Sequence, residues 1–137
     1  METSAAGGAN NVQLIQQAFA DFGSGNIQGI LNILADDVVW GGYEDPTVPF
    51  ARTFKGKEGV AQFFKLLSDS VNFTRFEPRE FIGQGERVVA LGYNSGTAKK
   101  MGKSFESEWS FVFTVHNGKL QSFFGYNDSL ATHRAFE

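Results

Sequence analysis

The sequence predicts an α+β fold in which a strongly bent antiparallel sheet curls into a cone-shaped barrel and three N-terminal helices pack on it. Three observations predict this. Apolar residues recur at helical spacing in three successive segments before residue 70. Four longer stretches after it follow a strand pattern, cleanest as the alternation from Ser104 on. An Asn117-Gly118 pair joins the last two of these as a tight hairpin. Helices first and strands afterwards is the order of an α+β domain, and helices with one apolar face must bury it against the sheet.

The first helix carries Val12, Ile15, Phe19 and Phe22 on one face, and Gly23-Ser24-Gly25 stops it. Met1 to Asn11 reads as a disordered lead-in. It has neither a basic n-region nor an apolar h-region, so a cytoplasmic location is expected. In the second helix Asn26 is the N-cap, Ile27, Ile30, Leu31 and Leu34 form the apolar face, and Asp36-Asp37 are expected to end it. Val38 to Trp40 reads as a strand, 41–49 as a loop, and Arg52 to Phe54 as a short strand. The third helix buries Val60, Phe63, Phe64 and Leu67.

Phe73 to Ile82 is the first long strand, with Pro78 implying an edge position or a bulge. Arg87 to Thr97 is the second. In the third, Phe105, Ser107, Trp109, Phe111, Phe113 and Val115 share one face, and Glu106, Glu108, Ser110, Val112 and Thr114 share the other. Lys119 to Asp128 is the last strand and Ser129 to Phe136 a short closing helix.

At 137 residues the chain has the length of one domain. A net charge of −3 argues against a nucleic-acid partner, and no apolar run reaches the length of a membrane span. Cysteine is absent, which excludes disulfides, thiol nucleophiles and Cys-based zinc sites; His116 and His133 are too few for a His-rich metal site. The unusual number is fifteen Phe, beside three Tyr and two Trp. Such a set either lines a cavity or makes a Phe-rich core, and composition does not choose.

Four stretches carry a resemblance: Gly25-Asn26-Ile27 through Leu34-Ala35-Asp36-Asp37-Val38-Val39-Trp40; Phe54-Lys55-Gly56-Lys57-Glu58-Gly59-Val60 into Phe63-Phe64; Trp109 to Phe113 with Asn117-Gly118-Lys119-Leu120; and Asp128-Ser129-Leu130-Ala131 through Ala135-Phe136. On them the chain resembles the SnoaL-like and ketosteroid-isomerase-related proteins of the nuclear transport factor 2-like (cystatin-like) superfamily. The resemblance implies one domain over 12–137, a homodimer formed through the outer face of the sheet, and an interior pocket for a small hydrophobic molecule. It implies no metal and no cofactor. The activities it suggests are isomerisation, polyketide-type cyclisation or dehydration by a carboxylate acid/base. The alternative is a non-catalytic ligand-binding or protein-interaction module, because this fold hosts both.

Transferred residue by residue, the isomerase's tyrosine falls at Ala18, its oxyanion-hole acid at Trp109 and its base near Gly42, so that set is not present. The polyketide cyclases' acid, an Asp ending the last strand before Ser or Thr, matches Asp128-Ser129. Asp128 is therefore the candidate acid/base, with helix N-capping as its competing role. Trp40, Tyr43, Trp109, Phe111, Phe123 and Tyr126 are the candidate ligand wall, the indole N–H and phenol O–H groups serving as polar handles. Glu44, Asp45 and His133 read as surface residues.

Overall fold

A computed structural model describes residues 4–137. The elements are α1 (Ser4–Gly23), α2 (Ile27–Asn32), β1 (Leu34–Gly42), β2 (Phe54–Lys55), α3 (Gly56–Ser70), β3 (Val71–Gln84), β4 (Arg87–Ala98), β5 (Lys103–His116), β6 (Lys119–Asn127) and α4 (Ser129–Phe136). The six strands form one sheet in the order β2-β1-β6-β5-β4-β3. The chain is thus α+β, as its patterning predicts. The sheet is curved but not closed: β2 and β3 remain as its edges.

Most of the ladder is antiparallel, from β3 through β6. One pairing departs from an all-antiparallel sheet, because β1 runs parallel to β6, with Trp40 opposite Phe123. No local signal marks this contact, since a parallel pair needs a long crossover. The bend comes from bulges. In β3 the register shifts between Phe73 and Arg75 and again between Pro78 and Glu80, so Pro78 lies at a bulge in an edge strand.

Local chemistry fixes the element ends. The Asn26 side chain accepts a hydrogen bond from the Gly29 N–H at 3.1 Å and caps α2. Asp36 and Asp37 do not end α2. The helix stops at Asn32, and both acids lie within β1 on exposed positions. Asn117 and Gly118 both take positive φ, 51° and 74°, as a tight two-residue hairpin requires.

The expected lead-in is largely helical. Met1 to Thr3 lie outside the described residues, but α1 begins at Ser4. Its first turns sit on the β3–β4 hairpin through two glycines. A Cβ on Gly83 would meet the Val12 Cγ2 at 2.5 Å and the Gly8 carbonyl oxygen at 2.9 Å. The Asn11 side chain also donates to the Gly85 carbonyl at 2.9 Å. Small residues here serve close approach rather than disorder.

The core lies between the helices and one face of the sheet. Ile15 on α1, Val60 on α3 and Val38, Val88 and Leu120 on the strands have no exposed surface. Strand β4 contributes Val88, Ala90, Gly92, Asn94, Gly96 and Ala98 to this inner face, all of them buried. Trp109 needs the space that Gly92 leaves empty, because a Cβ there would overlap the indole.

Candidate functional site

Beneath the helices the inner face leaves a cavity of about 160 Å³. Helix α1 contributes Ala18, Phe19 and Phe22 to its wall, α3 contributes Phe63, Phe64 and Leu67, and β5 and β6 contribute Phe111, Phe113 and Phe123. These rings pack at edge, tilted and stacked angles. Phe63 meets Phe64 edge-on at 5.2 Å, and Trp40 lies over Phe123 at 4.4 Å. The Phe-rich composition therefore builds both a core and a cavity wall.

The end of the cavity nearest α4 is polar and uncharged. Tyr43, Asn94, Asn127 and Thr132 line it. The Asn94 Oδ1, the Asn127 Oδ1 and the Trp40 Nε1 are buried without a hydrogen-bond partner among the described residues. Thr132 is occupied, since its hydroxyl donates to the Asp128 carbonyl at 3.1 Å. Burial pushes the Tyr43 phenol above its ordinary value of 10.0, the charge of Asp45 adds to this, and the Thr132 and Asn127 side chains oppose it. Tyr43 thus stays a neutral hydroxyl throughout the physiological range.

Among the described residues no Asp, Glu or His lines the cavity, and Arg52, on an exposed loop position, is the one charged residue on its wall. Nor do the described residues hold any group of three His, Cys, Asp or Glu that could bind a metal.

The structure brings Trp40, Tyr43, Phe111 and Phe123 together on the wall. It separates the other three candidates from them. Asp128 is exposed and is the N-cap of α4, where its Oδ1 accepts from the Ala131 N–H at 3.0 Å. Its own N–H donates to the Ser107 hydroxyl at 2.7 Å, which fixes the strand-to-helix corner. Its carboxylate thus takes the N-capping role that competes with acid/base work. Trp109 is 4% exposed and faces inward, but it lies over Gly92 and under Phe76 and Phe111, behind the wall rather than on it. Tyr126 pairs with Ser110 on the opposite face and is 54% exposed.

The polar residues that reasoning from sequence missed are Asn94, Asn127 and Thr132. The signal for Asn94 was present. Alternation puts it on the buried face of β4 between Gly92 and Gly96, as the one amide on that face.

A chain of contacts closes this end. His133 Nδ1 on α4 lies 2.7 Å from Asp45 Oδ2 on the loop after β1, and its Nε2 lies 3.4 Å from Glu137. Phe136 packs edge-on against Phe50 at 5.7 Å. His133, expected as a plain surface residue, therefore ties α4 to the loop that carries Tyr43 and Phe50.

The comparisons with known proteins agree with this architecture. The model of the SnoaL-like domain matches residues 15–123. The chain belongs to the SnoaL-like family. An NTF2-like protein from Burkholderia xenovorans LB400 is similar over 93% of this chain and 95% of its own, with 35% identity and a TM-score of 0.85. An NTF2-like protein of unknown function from Burkholderia pseudomallei K96243 covers 93% of this chain and 97% of its own at 27% identity and a TM-score of 0.81. TerC, co-crystallised with polyporic acid, covers 92% of this chain and 97% of its own at 28% identity and a TM-score of 0.81. No curated protein matches. Among the described residues of this SnoaL-like chain, no helix is long and apolar enough to cross a membrane.

The His133–Asp45 contact gives a pH dependence. The hydrogen bond that the His133 imidazole donates to Asp45 holds that imidazole above its ordinary 6.5, and the same bond holds the Asp45 carboxyl below its ordinary 3.8. The raised imidazole contributes stability in full below 6.5 and loses it as pH rises through the folded-state value. The depressed carboxyl contributes above 3.8 and loses it as pH falls through its folded-state value. Urea denaturation of wild type and His133→Gln is expected to show the larger stability gap at about pH 5.5 and a smaller one at about pH 9. Equal gaps at both would show that the contact contributes nothing as a charged pair.

Proposed function

We propose that this SnoaL-like protein binds a small hydrophobic molecule in the cavity under its helices, and that binding rather than carboxylate catalysis is its function. The observation that carries the reading is the wall itself: aromatic and aliphatic side chains, a few neutral polar groups, Arg52 at an exposed position and, among the described residues, no acid or imidazole. Proton transfer at an enolisable carbon needs a base within hydrogen-bond reach of it. Asp128, the one candidate for that work, spends its carboxylate on the α4 N-terminus. An apolar cavity of about 150 Å³ is known to take benzene, so about 160 Å³ suits a ligand of one ring. TerC, a relative of similar fold, takes a small molecule, polyporic acid.

The test is thermal unfolding with toluene as the probe. At ten times its dissociation constant a bound ligand adds about 1.4 kcal/mol, which raises Tm by a few degrees in a domain of this size. Asp128→Ala is expected to lower the baseline stability by about 1 kcal/mol through loss of the cap, while leaving the toluene-induced rise unchanged. A chain that toluene leaves unmoved has no such site, and a rise lost in Asp128→Ala would return that residue to it.

We further propose that the protein works as a homodimer through the outer face of the sheet. Ile82 at 49% exposure and Tyr126 at 54% lie there beside Leu91, Val112 and Phe124. Size-exclusion chromatography with light scattering is expected to give twice the chain mass, and the single mass in a Tyr126→Glu variant. A wild-type monomer contradicts this.

A further inference from the structure

We propose that the ligand is an uncharged single-ring molecule bearing a hydroxyl group, a phenol in chemical class, and that the Asn94 amide recognises the hydroxyl. The inference rests on the binding reading above and adds the ligand's chemistry to it.

Asn94 is 8% exposed, lines the cavity, and has a buried Oδ1 without a partner among the described residues. Its neighbours along and across the strands leave it unsatisfied, and the Trp109 indole N–H over Gly92 is likewise buried without a partner among the described residues. The neighbours of Asn94 on the inner face of β4 are Gly92 and Gly96, which have no side chain to offer. Phe76, opposite on β3, is apolar. Ser107, opposite on β5, is already committed: its hydroxyl donates to the Glu108 carbonyl at 2.6 Å and accepts from the Asp128 N–H at 2.7 Å. A buried polar group left unpaired costs about 1–3 kcal/mol, so a polar side chain at this place needs a partner from outside the chain.

Three features restrict that partner. A hydroxyl both donates and accepts, so it satisfies the amide in either orientation of its oxygen and nitrogen. The Asn127 Oδ1, which lines the same cavity, offers it a further acceptor. The ring is set by the Phe-lined volume of about 160 Å³. The lack of charge follows from the wall, where among the described residues Arg52 alone is charged and sits on an exposed position. An ion taken deeper than that would be desolvated without a partner.

The experiment is titration calorimetry with phenol, toluene, anisole and benzoate on wild type and Asn94→Leu. In wild type, phenol is expected to outbind anisole, which keeps the oxygen and the ring but cannot donate and is the more apolar of the two. Benzoate is expected to bind most weakly. From wild type to Asn94→Leu, the phenol-to-toluene affinity ratio is expected to fall about tenfold, the worth of one net hydrogen bond. A ratio that survives the substitution overturns the role of Asn94. Anisole binding as well as phenol in wild type does so without any variant, should Asn94→Leu not fold. Benzoate binding tightest moves recognition to Arg52 and overturns the uncharged class. If toluene binds and phenol does not, the cavity reading stands and this inference fails; if none of the four binds, both fail.

Discussion

The contact on which the rest depends is the Trp109 indole lying across Gly92. Strand β4 has no side chain there, so the indole occupies the space that a Cβ at residue 92 would fill. Its plane sets a stack. Phe111 lies parallel to it at 4.0 Å, Phe76 at 5.3 Å and Phe19 at 5.7 Å. Two of these rings come from other strands or from the helix layer. The stack therefore fixes where α1 sits on the sheet, and α1 in turn roofs the cavity with Phe19 and Phe22. A side chain at residue 92 would displace the indole, and overpacking of this kind costs about 1–3 kcal/mol.

Everything polar gathers at one end. The inner face is apolar where Phe113, Phe123 and Leu120 meet the helices. It turns polar where β4, β6 and α4 converge with Asn94, Asn127 and Thr132. The same corner holds the structural hydrogen bonds of Ser107 and Asp128. Acids sit at this corner, but they face the helix terminus and the loop. Asp128 caps α4 and Asp45 pairs with His133. Neutral groups are left to face the cavity, and that division separates this chain from a site built around a desolvated carboxylate.

Local patterns were readable in the sequence where one physical rule acts alone. The alternation from Ser104 to Val115 placed the inner face of β5, the Asn117-Gly118 pair placed the hairpin, and Pro78 marked an edge bulge. What was not readable needed a second element. The parallel pairing of β1 with β6 joins segments some 80 residues apart. The first turns of α1 looked like disorder because Gly8 contributes to packing only against Gly83. Alternation gives a side chain's face but not its depth. That is why Trp109 fell behind the wall that Phe111 lines, and why Tyr126, with its polar tip, was placed on the wall although its face is the outer one. Asn94 was open to discovery, since alternation alone places a lone amide among glycines and small apolar residues on a buried face.

The central claim is that the interior, and not a surface patch, receives the ligand. Isotope-filtered NMR with unlabelled toluene on labelled protein tests it most directly. The account predicts intermolecular contacts to the methyl groups of Ile30, Leu67 and Leu120, which line the cavity. Contacts confined to exposed Ile82 and Leu130 would contradict it and leave the interior as a closed aromatic core.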